Sequence, residues 1–312
     1  MKKLQALVFL AVFLTLNARS QEKIELVPFG DFESWTVRNI KESAIIGGEV
    51  KPVYAVGPRD TLRGNVPYDY SRTIWASSNV YANVSGIAKG SNSVVPEKGP
   101  SGLCARLETV YASVKAVGVI NIKVVASGAL FWGKVLEPIT STKNTMNFMD
   151  WGIPFTKRPK AMVIDYKAYL PNTGKLAKGT GFVEGYDPEV IMLLLQNRYE
   201  DSEGRIHAKR VGTAFLRIDK SSAGWVKDAR IPVIYGDITK LPQYRNQSLK
   251  NGEATINAVN SKGKSVPIIE EGWASPDTPV THAIMSMSTG SRTDLTAAIG
   301  NILWIDNIRL AY

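Results

Sequence analysis

Three observations on this 312-residue chain predict an all-β sandwich. Short runs rich in Val, Ile, Leu and Tyr recur, among them "LCARLETVYA", "VINIKVVA", "AMVIDYKAYL", "EVIMLLLQNRY" and "HAIMSMST". Clusters of Gly, Pro, Asn, Ser and Asp, such as "LPNTGKLAKGTG" and "NGEATINAVNSKGK", punctuate them as turns do. Helical periodicity is nearly absent: only "GDITKLPQYRNQSL" offers a short helix, and Pro242 limits it. Many short strands joined by polar turns make a sandwich.

Taken in order, the chain opens with "MKKLQALVFLAVFLTLNARSQ". Lys2 and Lys3, an apolar run from Leu7 to Leu16, and small residues at Ala18 and Ser20 predict a secretory leader cut after Ser20. The run is too short to span a bilayer, and no later stretch is apolar enough to do so. An exported domain covering residues 21–312 follows, with no internal repeat and no linker composition. Of the 38 basic residues, three lie in the leader, which leaves 35 against 28 acids, a net charge of +7. The charges are interspersed, which argues against nucleic acid or an anionic membrane as partner. Cys104 is the only cysteine, so no internal disulfide exists, and its alternating context predicts a buried thiol.

Further along, Met162, Ile164 and Tyr166 share one strand face and Val163, Asp165 and Lys167 the other. "VIMLLL" is apolar on both faces and predicts a central strand. The long Gly/Lys-rich segments 173–186 and 248–266 read as insertions at one end of the sandwich. At the close, "GNILWIDNIRLAY" places Ile302, Trp304, Asp306, Ile308 and Leu310 on one face at the strand period. An acid in an apolar stripe is costly without a partner.

Seven segments, in this order, carry a resemblance: "GDFESW", "TIWASSN", "SGLCARLET", "GALFWGKV", "WGIPFTKRPKAMVIDYKAY", "THAIMSMSTGS" and "GNILWIDNIRLAY". Over residues 27–312 they resemble the family named putative carbohydrate metabolism domain, exported proteins of gut Bacteroidetes. The box from Gly152 to Pro159 is the most specific element. Trp132 departs from the family pattern. The resemblance implies a jelly-roll β-sandwich similar to carbohydrate-binding modules and to galactose-binding-like folds, and it brings no catalytic residues. Within the box, Pro154 and Pro159 stiffen the chain ahead of a strand, and Arg158 offers a planar set of donors to loop carbonyls or a carboxylate.

In such modules the first and last strands are neighbours and often hold a structural cation. With "GDFESW" as the first strand, Asp31 and Glu33 would point to one side and meet Asp306, an oxygen set with which a Ca2+ site could begin. The alternative is that Arg158 or Arg309 neutralises Asp306, or that a turn caps it. For sugar stacking, the richest stretch is "PYDYSRTIWASSN", with Tyr68, Tyr70 and Trp75 near Asp69, Arg72 and Asn79; Trp273 in "EEGWASPD" joins them. Each aromatic also suits a sandwich core. A glycoside hydrolase would need paired carboxyls, for which Glu184, Asp187, Glu189, Glu270 and Glu271 are the candidates. Adjacent Glu270 and Glu271 would point to opposite faces, and no hydrolase, zinc or phosphate-loop motif stands out. The expectation is therefore a non-catalytic protein that binds polysaccharide or oligosaccharide in a glycan-acquisition system, alongside other surface proteins. A structural surface module is the alternative, and a glycoside hydrolase comes third.

Overall fold

A computed structural model describes residues 22–116, 120–241, 256–292 and 296–312. The leader expected at residues 1–20 lies outside them, as does most of the segment 236–249 in which the sequence allows a short helix.

Strands dominate, and eleven of them build the body of the molecule. In chain order, β1 is Ile24–Leu26, β2 Val94–Lys98, β3 Leu103–Glu108, β4 Ala129–Val135, β5 Ala161–Tyr169 and β6 Glu189–Glu200. They are followed by β7 Ile206–Ile218, β8 Val226–Pro232, β9 Ser265–Trp273, β10 His282–Ser288 and β11 Ile302–Ala311. The front sheet runs β8-β5-β11-β3-β2, with β1 paired to the end of β11; the back sheet contains β4-β10-β6-β7-β9. All these pairs are antiparallel except β7–β9. The chain changes sheet at most of its connections, which makes the arrangement a jelly-roll-like sandwich. Within the long segment 173–186, Lys175–Lys178 and Gly181–Glu184 pair as a hairpin.

The core lies between the two sheets. Met162, Ile164, Leu303 and Ile305 enter it from the front, and Ile191, Leu193 and Met285 from the back. Alternate residues of β6 face outward, where Leu194 packs with Ile206, Ala208, Ile268 and Ile284 in a second apolar cluster. That covered outer face is why "VIMLLL" is apolar on both sides. Trp132, the departure from the family pattern, is 1% exposed and packs in the main core against Trp75 and Phe155.

The start of the domain and the chain end adjoin, as the family resemblance implies. The Val27 amide donates to the Ile308 carbonyl at 2.9 Å, and the Ile308 amide to that of Gly30 at 2.9 Å. Phe32 and Ile308 share the core. Two details differ from expectation. "GDFESW" is not a strand: Phe29 (φ 56°) and Phe32 (φ 51°) turn the chain through left-handed conformations, and the first strand is β1 instead. Asp31 and Glu33 therefore do not share an extended face. The closing strand, moreover, does not keep one phase. Between the pairs Asp165–Asp306 and Val163–Arg309 it holds one residue more than β5, and Asn307 adopts φ 51°. This β-bulge reverses the alternation. Leu303 and Ile305 point into the core before it, Ile308 and Leu310 after it, so Trp304 and Asp306 face outward. The acid does not interrupt the apolar stripe; the stripe steps around it.

Candidate functional site

The expected aromatic platform is mostly interior. Trp75 is 1% exposed, its indole nitrogen donates to the Pro28 carbonyl at 2.7 Å, and its ring meets Trp132 edge-on at 6.0 Å. Such a ring offers no face to a sugar, and its stacking role is corrected to core packing. Tyr68 is also buried, and Tyr70 meets it edge-on at 4.9 Å while packing on the small apolar cluster that contains Phe131. Both belong to a buried polar hub. Glu137 accepts from Arg38, from the Tyr68 amide at 3.1 Å and from the Tyr81 amide at 2.7 Å, while the Arg38 guanidinium lies 5.5 Å from the Tyr68 ring centre. Burial pushes both phenols up from their usual range. These tyrosines hold a loop in place and are not arranged as a binding face.

The expected acid cluster is also rearranged. Glu33 accepts from the Leu103 amide at 2.8 Å, and Asp31 stands at the turn, 3.5 Å from the Glu33 amide. Asp306 is 2% exposed; its carboxylate accepts from the Asn307 amide at 2.8 Å and from Ser101 Oγ at 3.5 Å. Neither Arg158 nor Arg309 pairs with it. Arg309 and Lys227 go instead to its cross-strand neighbour Asp165, at 3.3 and 3.0 Å. Burial pushes Asp306 up to about 6, with Asp165 and Glu33 adding repulsion. Burial would push Asp165 up as well, but the Asp228 amide, Lys227 and Asn307 outweigh it and hold that carboxyl below the usual range. Among the described residues no three His, Cys, Asp or Glu side chains come together as a metal-ligand set.

Arg158 of the box donates to the carbonyls of Thr278, at 2.9 Å, and Pro276, and its guanidinium lies 4.3 Å from the Tyr235 ring centre. Gly152 (φ +88°) is required at the other end, since a Cβ there would stand 2.7 Å from Arg198 Nη2. Cys104 is fully buried, and burial pushes its thiol up to about 12, which leaves it unreactive.

Where β6, β7 and β9 run side by side, the structure builds a surface that the sequence does not announce. Tyr199 and His207 are directly opposite on β6 and β7, with rings stacked at 4.9 Å and 7°. Glu271 on β9 accepts from Tyr199 Oη at 3.2 Å and lies 2.9 Å from His207 Nδ1. Asp201 takes the other ring nitrogen at 3.1 Å and binds Arg205 at 2.6 Å, whose guanidinium holds the Asp201 carboxyl well below its usual range. Tyr199 stays 50% exposed, so a phenol ring braced on one face by an imidazole is left open beside two carboxylates and an arginine.

Across the strand, Glu270 turns inward. It binds Arg210 through two bonds of 2.6 and 2.8 Å, and Arg210 lies 5.6 Å from the ring centre of the half-buried Trp273. Gln196 links this pair to Arg198, which burial pushes down to about 10. Glu270 and Glu271 thus diverge, each engaged by a different partner. Of the remaining carboxyls considered for hydrolysis, Glu184 sits exposed on the 181–184 strand, whereas Asp187 and Glu189 are fully buried. The usable chemistry of the β6–β7–β9 surface is stacking plus hydroxyl recognition by charged groups. The only signals for it in the sequence were Trp273 and Glu271; Tyr199 and His207 carried none.

The profile of the family described as "Putative carbohydrate metabolism domain" matches residues 60–227, more than half of the chain. No curated protein matches it. Among solved structures, the chain is similar to a putative glycoside hydrolase from Bacteroides thetaiotaomicron, at 17% identity and TM-score 0.49, covering 89% of this chain and 71% of that one. A second putative glycoside hydrolase, from Bacteroides vulgatus, shares 14% identity at TM-score 0.45, covering 92% and 94%. A carbohydrate-binding module specific for non-crystalline cellulose, CBM28, shares 12% at TM-score 0.26, covering 76% and 87%. Among the described residues no helix is long and apolar enough to cross a membrane. With the profile spanning the sandwich from β2 into β8, the chain belongs to the putative carbohydrate metabolism domain family.

Proposed function

We propose that this protein is an exported, non-catalytic carbohydrate-binding protein of a glycan-acquisition system, which presents polysaccharide or oligosaccharide to other surface proteins. The observation that carries the reading is the open Tyr199 ring, stacked on His207 and flanked by Glu271, Asp201 and Arg205. An aromatic face accepts the apolar side of a pyranose, while carboxylates and a guanidinium read its hydroxyls. Family membership supports a carbohydrate-related role, and the leader composition supports export.

A glycan array with the protein lacking residues 1–20, followed by calorimetry on the best ligand, tests this. Saturable binding without release of reducing ends is expected. Tyr199→Ala is expected to weaken it about tenfold, the ~1.4 kcal/mol of a moderate interface anchor, while leaving the melting midpoint nearly unchanged. Release of reducing ends overturns the non-catalytic reading, silence on every glycan overturns binding, and undiminished affinity in Tyr199→Ala removes this surface.

A further inference from the structure

At one rim of the sandwich the two sheets are joined by buried polar groups. On the back sheet β6 begins beside the end of β10, and on the front sheet β11 begins beside the end of β3. Asp187, Glu189 and Thr289 come from the first pair, Thr109 and Asn301 from the second, and each is 1% exposed or less. Two ties cross between the sheets. Thr109 Oγ1 and Thr289 Oγ1 are 2.8 Å apart, and Asn301 Nδ2 donates to the carbonyls of Asp187 at 2.9 Å and Thr289 at 3.0 Å. Ser291 supplies its amide, at 2.8 Å, and its hydroxyl, at 3.2 Å, to Asp187 Oδ1.

With these donors spent, four buried acceptor oxygens on three side chains have no hydrogen-bond partner: Asp187 Oδ2, Glu189 Oε1, Glu189 Oε2 and Asn301 Oδ1. An orphaned buried acceptor is costly, and a set of them from residues that meet at one rim asks for a positive centre. Arg292 offsets part of the Asp187 charge through space. Asp187 packs directly against Gly290, where a Cβ would stand 2.4 Å from Asp187 Oδ2 and 2.9 Å from Ser127 Oγ. Oxygen donors without nitrogen or sulfur select a hard cation, and a mixed set of two carboxylates and an amide suits calcium better than zinc.

We propose that Asp187, Glu189 and Asn301 form the protein side of a structural Ca2+ site that clamps the two sheets together at this rim. Asp187 Oδ2, the Glu189 carboxylate and Asn301 Oδ1 are its ligands. The site is separate from Asp31, Glu33 and Asp306, and it does not depend on the glycan-binding reading.

The test uses the chelator-stripped protein, titrated with CaCl2 by calorimetry and melted in Ca2+ and in EDTA. One Ca2+ per chain is expected, with a midpoint several degrees higher in Ca2+. Glu189→Gln keeps the shape and removes the charge, so it is expected to fold in EDTA and to lose the Ca2+ shift, with affinity at least tenfold weaker. Glu33→Gln is expected to retain one ion and the full shift. Absence of bound Ca2+ in the unaltered protein, a full shift in Glu189→Gln, or loss of the ion in Glu33→Gln each overturns the proposal. Should Glu189→Gln fail to fold, the stoichiometry of the unaltered protein and of Glu33→Gln decides.

Discussion

Replacing Asp306 by Asn tests how the bulged closing strand tolerates a buried acid. In the folded chain Asp306 titrates at about 6, against an ordinary value of 3.8, because burial disfavours its charge and Asp165 and Glu33 repel it. Between these two values the native state holds a proton that the unfolded chain has released. Stability from this group is therefore full below about pH 4, falls as pH rises, and reaches its largest deficit above about pH 6. At 1.36 kcal/mol per pH unit, the deficit approaches about 3 kcal/mol at neutral pH. Asparagine keeps the acceptor for the Asn307 amide and has no charge to lose. Urea unfolding followed by tryptophan fluorescence should show Asp306→Asn more stable than the unaltered protein by up to about 3 kcal/mol at pH 7.5, and nearly equal at pH 3.5. An equal difference at both pH values, or a variant less stable at pH 7.5, would refute the reasoning, since only the ionised carboxylate carries the deficit.

Two further substitutions separate core from surface. Trp75→Ala removes a ring packed between Phe32 and Trp132 and is expected to cost about 3–5 kcal/mol in denaturant unfolding, with glycan affinity unchanged in the fraction that stays folded. Glu270→Ala leaves the Arg210 charge buried without its carboxylate and is expected to cost about 3–5 kcal/mol by the same measurement; a cost below about 1 kcal/mol would mean that water replaces the carboxylate.

Much of the fold was legible in the sequence because it rests on local alternation. Met162 and Ile164 face the core as their spacing predicts, and Arg158 reaches loop carbonyls, one of the two uses its donors allow. The closing strand shows where such reading ends. Its period of two holds on each side of Asn307 but not across it, because one extra residue reverses the faces, and the partner strand that defines a bulge lies some 140 residues earlier. The aromatic stretch at Tyr68, Tyr70 and Trp75 misled for a related reason: composition marks rings that suit a sugar, whereas burial is decided by what packs on them. The Tyr199–His207 pair arises only from the β6–β7 register, and Glu271 joins it only because β9 lies alongside β7.

Strand content and the buried thiol were determined by the sequence alone, since each follows from composition or from patterns within a few neighbouring residues, whereas the meeting of chain start with chain end was implied by the family resemblance. Which acids are paired, which rings are open and which oxygens stand without donors was decided by tertiary structure. Those properties belong to contacts between strands far apart in the chain. Asp187 and Asn301 stand side by side only after two sheets have closed over a common core.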